Sequence, residues 1–356
     1  MEHPENDDLY KGLKVNKGVA DVPTVNPYLK KRIQRKEYTP TEFVEGILKG
    51  NITILSQAVT LVESSKYEHQ QVAQEIIEKC LPHAGKSVRI GITGVPGAGK
   101  STSIDAFGMH LIGEGRKLAV LAIDPSSERS KGSILGDKTR MEALSREKNA
   151  FIRPSPSAGS LGGVARKTRE TIVLCEAAGF DTVFVETVGV GQSETAVHSM
   201  VDFFLLIQLA GTGDELQGIK RGIMEMADGI IINKADGDNL EKAKLAAAQF
   251  RNALHLFPAP ESGWFPKVLT YSGYYNLGIK EIWDMVGEYM EFTQKNGYFN
   301  YKRNEQAKYW MYESINDTLR ETFYHNPAVE SMLNLTEQQV LNNEISSFVA
   351  AKRMMD

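Results

Sequence analysis

The sequence has few cysteines and no long hydrophobic segment, and each shortage excludes a class of protein. Its two cysteines, Cys80 and Cys175, cannot build a disulfide framework and are typical of a reducing compartment. It has no C-x-x-C motif and no His/Cys cluster, so it gives no sign of a zinc site. The longest apolar run, Phe203–Ile207, is bounded by Asp202 and Gln208 and is far too short to span a bilayer.

The sequence also lacks a strong excess of charge of either sign. Its 41 basic and 45 acidic residues leave a formal net charge of −4 at pH 7, which favours neither nucleic acid nor an anionic membrane as a partner. The polar, acidic start of the chain predicts no secretory leader. We therefore expect a cytoplasmic protein without nucleic-acid or membrane partners, with an organelle matrix as the alternative compartment.

Changes in pattern along the chain predict four regions. Residues 1–38 carry Pro, Gly, Lys and Asp without periodicity and predict a flexible arm. Residues 39–85 begin with the capping box Thr39–Glu42, contain three apolar stripes at helical spacing, and predict a helical segment packed on a neighbouring domain. Residues 86–295 alternate short apolar runs with helical segments. Residues 296–356 are helical again.

Six apolar runs in the third region predict buried, mostly parallel strands of a doubly wound α/β sheet. They are Val88–Thr93, Leu118–Ile123, Val183–Val185, Phe203–Leu209, Gly229–Ile232 and Val268–Tyr271. Ligands of such sheets bind outside the carboxyl ends of the strands. The polar residues that directly follow these runs are therefore the candidate site residues.

The clearest motif follows the first run and precedes the predicted helix Ser101–Ile112. It fits G-x-x-x-x-G-K-[ST], the phosphate-binding P-loop, and it predicts a P-loop GTPase or related nucleotide-binding domain. Its residues are Gly94, Val95, Pro96, Gly97, Ala98, Gly99, Lys100, Ser101 and Thr102. The glycines let backbone N–H groups turn toward phosphate oxygens, and the helix presents its positive end to the same anion. We expect Lys100 to reach the β- and γ-phosphates and the Ser101 hydroxyl to ligate Mg²⁺.

A second motif, N-K-A-D at 233–236, indicates that the nucleotide is GTP or GDP. The Asp236 carboxylate can accept hydrogen bonds from N1–H and the exocyclic amine of guanine, which adenine does not offer. Asn233 would contact the ring edge, and the stem of Lys234 would cover the face of the base. The turn after the last run would place backbone N–H groups at guanine O6. That turn consists of Ser272, Gly273 and Tyr274.

Other strand ends carry candidate metal and phosphate contacts. Because a P-loop is present, Asp124 is expected to face Mg²⁺, whereas Asp137 by itself is more typical of a turn or helix cap. Glu186 takes the carboxylate position beside the P-loop strand, and Gly189 would offer its N–H to the γ-phosphate. Gln192 either orients water or faces solvent.

In this order, the motifs GVPGAGKST, DPSS, GSILGDKTRM, ETVGVGQSE, GTGDELQGIK, NKAD and YSGY resemble the MeaB/MMAA/ArgK family of P-loop GTPases. The resemblance covers about residues 39–356. It implies a chaperone of adenosylcobalamin-dependent methylmalonyl-CoA mutase that gates cofactor loading, protects the mutase and helps to eject inactivated cofactor. It also implies a homodimer built through the C-terminal helical arm.

The resemblance extends to individual residues. It implies that Ser101, Asp124, Asp137 and Glu186 surround Mg²⁺. The loop 211–222 resembles a switch that senses the partner, and its working residues would be Asp214, Gln217 and Lys220. On its residues alone this glycine-rich loop predicts mobility, with Lys220 a surface charge. Residues 128–131 are more highly charged than in relatives. This difference lies in the first switch and leaves the predicted metal ligands unchanged.

The predicted chemistry is slow Mg²⁺-dependent GTP hydrolysis. No residue is a convincing general base, so intrinsic turnover should be low and a partner should raise it. One alternative is a metallochaperone GTPase for another metalloenzyme, such as a nickel enzyme, which would normally show a His-rich or Cys-containing metal site. The other is a kinase acting on a transport-binding protein, which predicts no guanine preference and is disfavoured by Asp236.

The C-terminal region predicts an arm of two or three helices. One apolar stripe predicts a helix that ends at Asn296-Gly297, and a second, from Ala307 to Phe323, predicts a long helix that ends at Asn326-Pro327. The pattern at 335–340 predicts a capping box before the last helix. Because such an arm has little else to bury against, we interpret the second stripe as a self-complementary dimer interface rather than ordinary core.

Overall fold

The structure is a computed structural model. It describes residues 38–124, 141–156, 161–187, 193–210 and 221–355. The chain divides into residues 1–39 and residues 40–356, and the fold below is that of the second unit. None of the helices in the described ranges combines the length and the apolar character needed to cross a bilayer.

Within these ranges, seven strands form one sheet in the order β3-β2-β4-β1-β5-β6-β7. The strands are β1 (Val88–Gly94), β2 (Leu118–Asp124), β3 (Ala150–Pro156), β4 (Thr182–Thr187), β5 (Phe203–Leu209), β6 (Gly229–Asn233) and β7 (Lys267–Thr270). Every neighbouring pair is parallel. Strands β4, β2 and β3 lie on one side of β1 and strands β5, β6 and β7 on the other, so the crevice at the carboxyl end of β1 is the expected ligand position. The predicted doubly wound α/β fold is confirmed.

Helices cover both faces of this sheet and extend beyond it. They are α1 (Pro40–Leu48), α2 (Ile52–Glu63), α3 (Tyr67–Cys80), α4 (Lys100–Gly113), α5 (Leu161–Ala177), α6 (Ser193–His198), α7 (Arg221–Met226), α8 (Leu240–Leu254), α9 (Ile279–Lys295), α10 (Tyr298–Tyr324), α11 (Pro327–Leu341) and α12 (Ser347–Met355). The first three contact one another and α5. Helices α4 and α9 bury aromatic side chains against the sheet, with ring centroids of Phe107 and Phe184, and of Phe203 and Tyr289, 5.1 Å apart.

The strand β3 was not among the six predicted strands. Its sequence, AFIRPSP, contains Arg153 and two prolines and therefore does not read as a buried apolar run. Since β3 lies at the edge of the sheet, prolines are tolerated there, because an edge strand can leave one row of donors unused. Arg153 pairs with the Glu63 carboxylate of α2, which ties this edge to the N-terminal helices.

The predicted capping box at 335–340 was wrong. Thr336 lies inside α11, where its hydroxyl donates to the Met332 carbonyl oxygen at 2.9 Å instead of capping a helix start. Helix α11 begins earlier, with Asn326 as its cap: the Asn326 Oδ1 accepts from the Ala328 N–H at 3.0 Å, and Pro327 occupies the first helical position. The proline signal outweighed the weaker Thr-x-x-Gln pattern, which also fits a helix interior.

A network of buried charges crosses the amino edge of the sheet. The Arg89 guanidinium on β1 donates to both Glu176 oxygens, at 2.8 and 2.9 Å. The Arg303 guanidinium on α10 donates to both Asp202 oxygens, at 2.8 and 2.7 Å. The Asp202 Oδ2 also accepts from the Arg89 backbone N–H at 2.9 Å, so the two ion pairs meet at one point. Such bidentate pairs fix orientation as well as charge.

Helix α10 is attached to this edge by its first half. The Gln306 amide donates to the Val201 carbonyl oxygen at 2.8 Å, and the Trp310 indole N–H donates to the Ser199 carbonyl oxygen at 3.0 Å. Farther along, the predicted apolar stripe is not covered within the described chain. Its members Met311, Ile315 and Leu319 are 52%, 47% and 63% exposed.

Candidate nucleotide site

The P-loop joins β1 to α4 at the carboxyl edge of the sheet. A Cβ on Gly94 would lie 2.3 Å from the Ile207 carbonyl oxygen on β5, so no larger residue fits there. Gly99 has φ +86°, and a Cβ there would lie 2.6 Å from the Asn233 side-chain nitrogen. These two glycines let the loop pass close to the neighbouring strands β5 and β6.

The Lys100 side chain curls back over its own loop. Its ammonium donates to the Gly94 carbonyl oxygen at 2.8 Å and more weakly to that of Val95 at 3.4 Å. Burial lowers the pKa of Lys100, while the Glu186 and Glu194 carboxylates act in the opposite direction. The cation is therefore held at the position where phosphate oxygens can replace the loop carbonyls.

Oxygen donors suited to a divalent cation meet beside the P-loop. The Ser101 hydroxyl donates to Glu186 Oε1 at 3.4 Å. Strand register sets this approach, because Glu186 on β4 lies opposite Ile92 on β1. A hydroxyl next to a carboxylate matches the hard oxygen ligands that Mg²⁺ prefers, so these residues fit the ion.

The remaining members of the predicted metal set are only partly described. The backbone of Asp124 ends β2, which pairs with β4, and its side chain lies outside the described residues, as does all of Asp137. Within the described part of the chain, no group of three or more His, Cys, Asp or Glu side chains is arranged to hold a metal ion. The four-residue metal set therefore remains a prediction. The structure places two of its members, Ser101 and Glu186, next to each other.

Asn233 ties the base-reading loops to the P-loop. Its buried side-chain nitrogen donates to the Ala98 carbonyl oxygen at 2.7 Å. Its Oδ1 accepts from the Lys234 N–H at 2.7 Å and the Gly273 N–H at 3.2 Å. These hydrogen bonds of the Asn233 side chain differ from its predicted contact with the edge of the guanine ring. The bonds fix the phosphate and base halves of the site relative to each other without a bound nucleotide.

Asp236 is held by the turn that follows β7. The Ser272 hydroxyl donates to Asp236 Oδ2 at 2.5 Å. Paired backbone bonds of 3.0 Å between Ser272 and Leu277 close that turn. Lys234 adopts the left-handed conformation, with φ +58°, which is uncommon for a residue other than glycine and is typical of a functional loop. The structure thus brings together the predicted base-binding residues of two separate motifs.

Next to these loops the carboxyl edge opens into a cavity of about 800 Å³. Thr102 and Asp105 of α4 line one wall, and Gly273 and Tyr274 line another. Tyr274 is 80% exposed at its mouth. The cavity lies between α4 and the turn after β7, and its lining includes Gly273 and Tyr274 but not Lys100 or Asp236, so it adjoins the predicted base-binding residues.

Several predicted residues lie outside the described residues. They are Asp137, Gly189, Gln192, Asp214, Gln217 and Lys220. Sequence reasoning missed one contact inside the site, the 2.9 Å hydrogen bond between the Thr187 and Thr93 hydroxyls that joins the ends of β4 and β1. Thr93 ends one predicted strand and Thr187 follows another by two residues, and these two positions were the available signal.

A family model described as methylmalonyl-CoA mutase-associated GTPase MeaB matches residues 55–328. The chain belongs to the MeaB family. As a member of this GTPase family the protein binds GTP and GDP and is a GTP hydrolase. The family resemblance inferred from the seven motifs is thereby confirmed.

Relatives in the MeaB family match nearly the whole chain. A putative GTPase of Caulobacter vibrioides is 50% identical over 309 residues, covering 87% of this chain and 94% of that protein. The Escherichia coli GTPase ArgK is 44% identical over 320 residues, covering 90% of this chain and 97% of that protein. The mouse protein named methylmalonic aciduria type A homolog, mitochondrial, is 45% identical over 320 residues, covering 87% of this chain and 77% of that protein.

A crystal structure named LAO/AO transport system kinase has the same fold. It superposes with a TM-score of 0.70 at 38% identity and covers 90% of this chain and 97% of its own. This likeness agrees with the arrangement of strands and P-loop described above. The roles of single residues in the MeaB-family site stay predictions.

Proposed function

We propose that the protein is a Mg²⁺-dependent GTPase that works in the cytoplasm as a chaperone of an adenosylcobalamin-dependent methylmalonyl-CoA mutase. In this role it gates cofactor loading and protects and reactivates the mutase. The observation that carries the nucleotide part is the bond from Asn233 to Ala98, which joins a P-loop and a guanine-reading loop into one site. The family description and the name of the mouse relative support the mutase as the client.

The side chains around the P-loop suggest how hydrolysis proceeds. The backbone N–H groups of the loop bind phosphate oxygens, and Lys100 leaves its loop carbonyls to neutralise the β- and γ-phosphates. Ser101 and Glu186, with Asp124 and Asp137, would hold Mg²⁺. That ion would supply charge neutralisation at the β- and γ-oxygens. Because the reaction depends on positioning and charge rather than on a strong base, basal turnover is slow.

The partner-sensing part of the proposal rests on the loop 211–222. Asp214, Gln217 and Lys220 lie outside the described residues, and their role comes from the family resemblance. The loop follows β5, whose carboxyl end lies beside the P-loop strand. In the complex with the mutase, Lys220 would bring a second cation to the phosphates, as an arginine finger does in other GTPases.

The first prediction is that the mutase stimulates GTP hydrolysis. Phosphate release by the full chain with Mg²⁺ should rise at least about tenfold when the mutase is added, since a cation delivered to the phosphates in trans accelerates this chemistry strongly. Lys220→Ala should lose the stimulation and keep basal turnover, and EDTA should abolish both. Lys242→Ala, an exposed lysine on α8, is the matched control.

Two further measurements separate this proposal from the alternatives. ATP replaces GTP in one arm, and transfer of labelled phosphate to protein is followed in another. Equal turnover with and without the mutase would remove the chaperone part and leave the nucleotide site standing. Transfer of phosphate from ATP to a protein acceptor would favour a kinase.

The second prediction is a homodimer formed through the exposed stripe on α10. Wild-type protein should sediment at about twice the 39.5 kDa chain mass, because an uncovered apolar stripe on a terminal arm is stabilised by a second copy. Leu319→Asp should shift it to the monomer by placing a charge in that interface, whereas Asn252→Asp, which adds the same charge at an exposed position of α8, should not. A wild-type monomer in analytical ultracentrifugation would contradict the prediction.

A further inference from the structure

The amino edge of the sheet contains a second cavity, of about 300 Å³, which the nucleotide chemistry does not use. It lies where α6, α7 and α10 approach the loop between α8 and β7. Asp228, which lines it, directly precedes β6, whereas Asn233 ends that strand. At about 3.3 Å per residue the two residues are roughly 16 Å apart, so the cavities are separate. The volume is within the range of small-molecule sites.

Most of the wall is apolar and stiff. It includes Met224, Met226, Phe257, Pro258, Pro260 and Phe265. Prolines hold the 257–266 loop in place without donating backbone hydrogen bonds. Phe265 is 64% exposed at the rim, so its ring is accessible at the opening of the cavity. The wall therefore suits a ligand with an apolar portion.

One ion pair lies at the inner end, and its own contacts hold it in place. The Lys302 ammonium donates to the Asp202 carbonyl oxygen at 2.8 Å and approaches Asp228 Oδ2 at 3.5 Å. Asp228 Oδ2 also accepts from the Phe204 N–H at 2.9 Å. Since these two charges balance each other, the charge that a ligand meets is set by the rest of the lining.

Two other polar side chains line the cavity without a side-chain hydrogen bond to any described residue, His198 and Tyr298. Burial, reinforced by the Lys302 charge, lowers the pKa of His198 to about 3, so its ring is neutral and does not repel a cation. Burial, together with the charges of Asp228 and Glu261, raises the pKa of Tyr298 to about 12. Its hydroxyl therefore stays protonated and uncharged, and its oxygen can accept a hydrogen bond from a ligand.

The mouth adds negative charge. Glu225 and Glu261 both line it and both are exposed. Among the described lining residues Lys302 is the single lysine or arginine, and Asp228 already balances it. Two carboxylates beside the aromatic faces of Phe257, Phe265 and Tyr298 form an environment that attracts cations through charge and through the ring quadrupole.

We propose that this cavity binds a small organic cation, an ammonium or guanidinium group on a short apolar stem. The stem lies along Met226 and the prolines, and the head lies near Glu225, Glu261 and the Tyr298 hydroxyl. Such a group occurs on a free polyamine-like molecule or on a lysine or arginine side chain of another protein. The site does not rest on the proposed function, because it lies at the opposite edge of the sheet.

Calorimetric titration of the full chain tests the site. The probes are agmatine, a capped Gly-Arg-Gly peptide, and N-butylacetamide as the neutral control. We expect agmatine or the peptide to bind and the neutral probe not to. Glu225→Gln/Glu261→Gln should weaken binding about two- to thirtyfold, the range for two exposed charge contacts. Ala259→Trp should block the cavity and abolish binding.

The controls separate a specific cavity from surface charge. The double variant Glu78→Gln/Glu337→Gln removes two exposed carboxylates elsewhere and should bind like wild type. Tighter binding of agmatine identifies a free small molecule as the source, and tighter binding of the peptide identifies a protein side chain. The proposal is overturned if neither cation binds, or if both double variants bind alike. GTP hydrolysis should be unchanged in every variant.

Discussion

Replacing Asp236 by asparagine is expected to weaken GTP binding by about 100- to 10,000-fold, since it removes two hydrogen bonds to a charged acceptor worth about 1.5–3 kcal/mol each. An asparagine amide would also turn a donor toward the guanine N–H groups. The hydrogen bond from Ser272 fixes the carboxylate in place, so the loop cannot easily relax around the change. Calorimetry with GTP, GDP and ATP measures the effect, and ATP binding should change little.

Xanthosine triphosphate provides the compensating test for this variant. Xanthine carries a carbonyl where guanine carries its exocyclic amine, so the Asp236→Asn amide can donate to it, and affinity for this nucleotide should rise. Asp238→Asn, two residues later and exposed, is the matched control and should keep the wild-type preference. An unchanged ratio of GTP to ATP affinity in Asp236→Asn would show that this residue does not read the base.

Replacing Arg89 by methionine is expected to lower the free energy of unfolding by about 3–5 kcal/mol, the cost of leaving a buried charge without its partner. The Glu176 side chain is 1% exposed, and both of its oxygens accept from Arg89. The Gly85 N–H and the Ser87 hydroxyl also donate to them, at 2.7 and 2.6 Å, but these neutral donors do not balance the carboxylate charge. Methionine keeps the unbranched stem and removes the charge. Urea unfolding followed by circular dichroism provides the measurement.

Two comparisons test the cause of that loss. Lys280→Met breaks an exposed i, i+4 pair with Asp284 on α9 and should leave the free energy of unfolding almost unchanged, because water screens both charges. The double variant Arg89→Met/Glu176→Met should recover part of the stability, because apolar residues can replace a buried ion pair at little cost. Recovery is incomplete because the Gly85 N–H and the Ser87 hydroxyl lose their acceptor. If the double variant is as unstable as Arg89→Met, packing rather than the unpaired Glu176 charge explains the loss.

The parts of this protein that the sequence predicts well are those with local signals. Buried parallel strands are short continuous apolar runs, and six of these runs coincide with strands. The P-loop and the N-K-A-D tetrapeptide follow such runs directly, so position and motif agree. Edge strand β3 lacks that signal, because one row of its donors needs no partner and prolines are tolerated.

Contacts between distant segments have no comparable signal. Arg89 and Glu176 are 87 residues apart, and neither lies in a motif. Asn233 was predicted to contact the base because the motif is local, whereas its bonds to Ala98 and Gly273 depend on how β1, β6 and β7 are ordered in the sheet. Such bonds follow from topology, which periodicity does not specify.

Helix α10 is attached to the sheet edge through its first half, so a small change in its angle there displaces its far end by a larger distance. Trp310 is the last buried residue of this helix, which continues to Tyr324. At 1.5 Å per residue the remaining length is about 21 Å. A tilt of about 5° at the attachment would therefore move the tip by about 2 Å over this length. Displacements too small to disturb the packing of the sheet are magnified at the far end, where the exposed stripe lies.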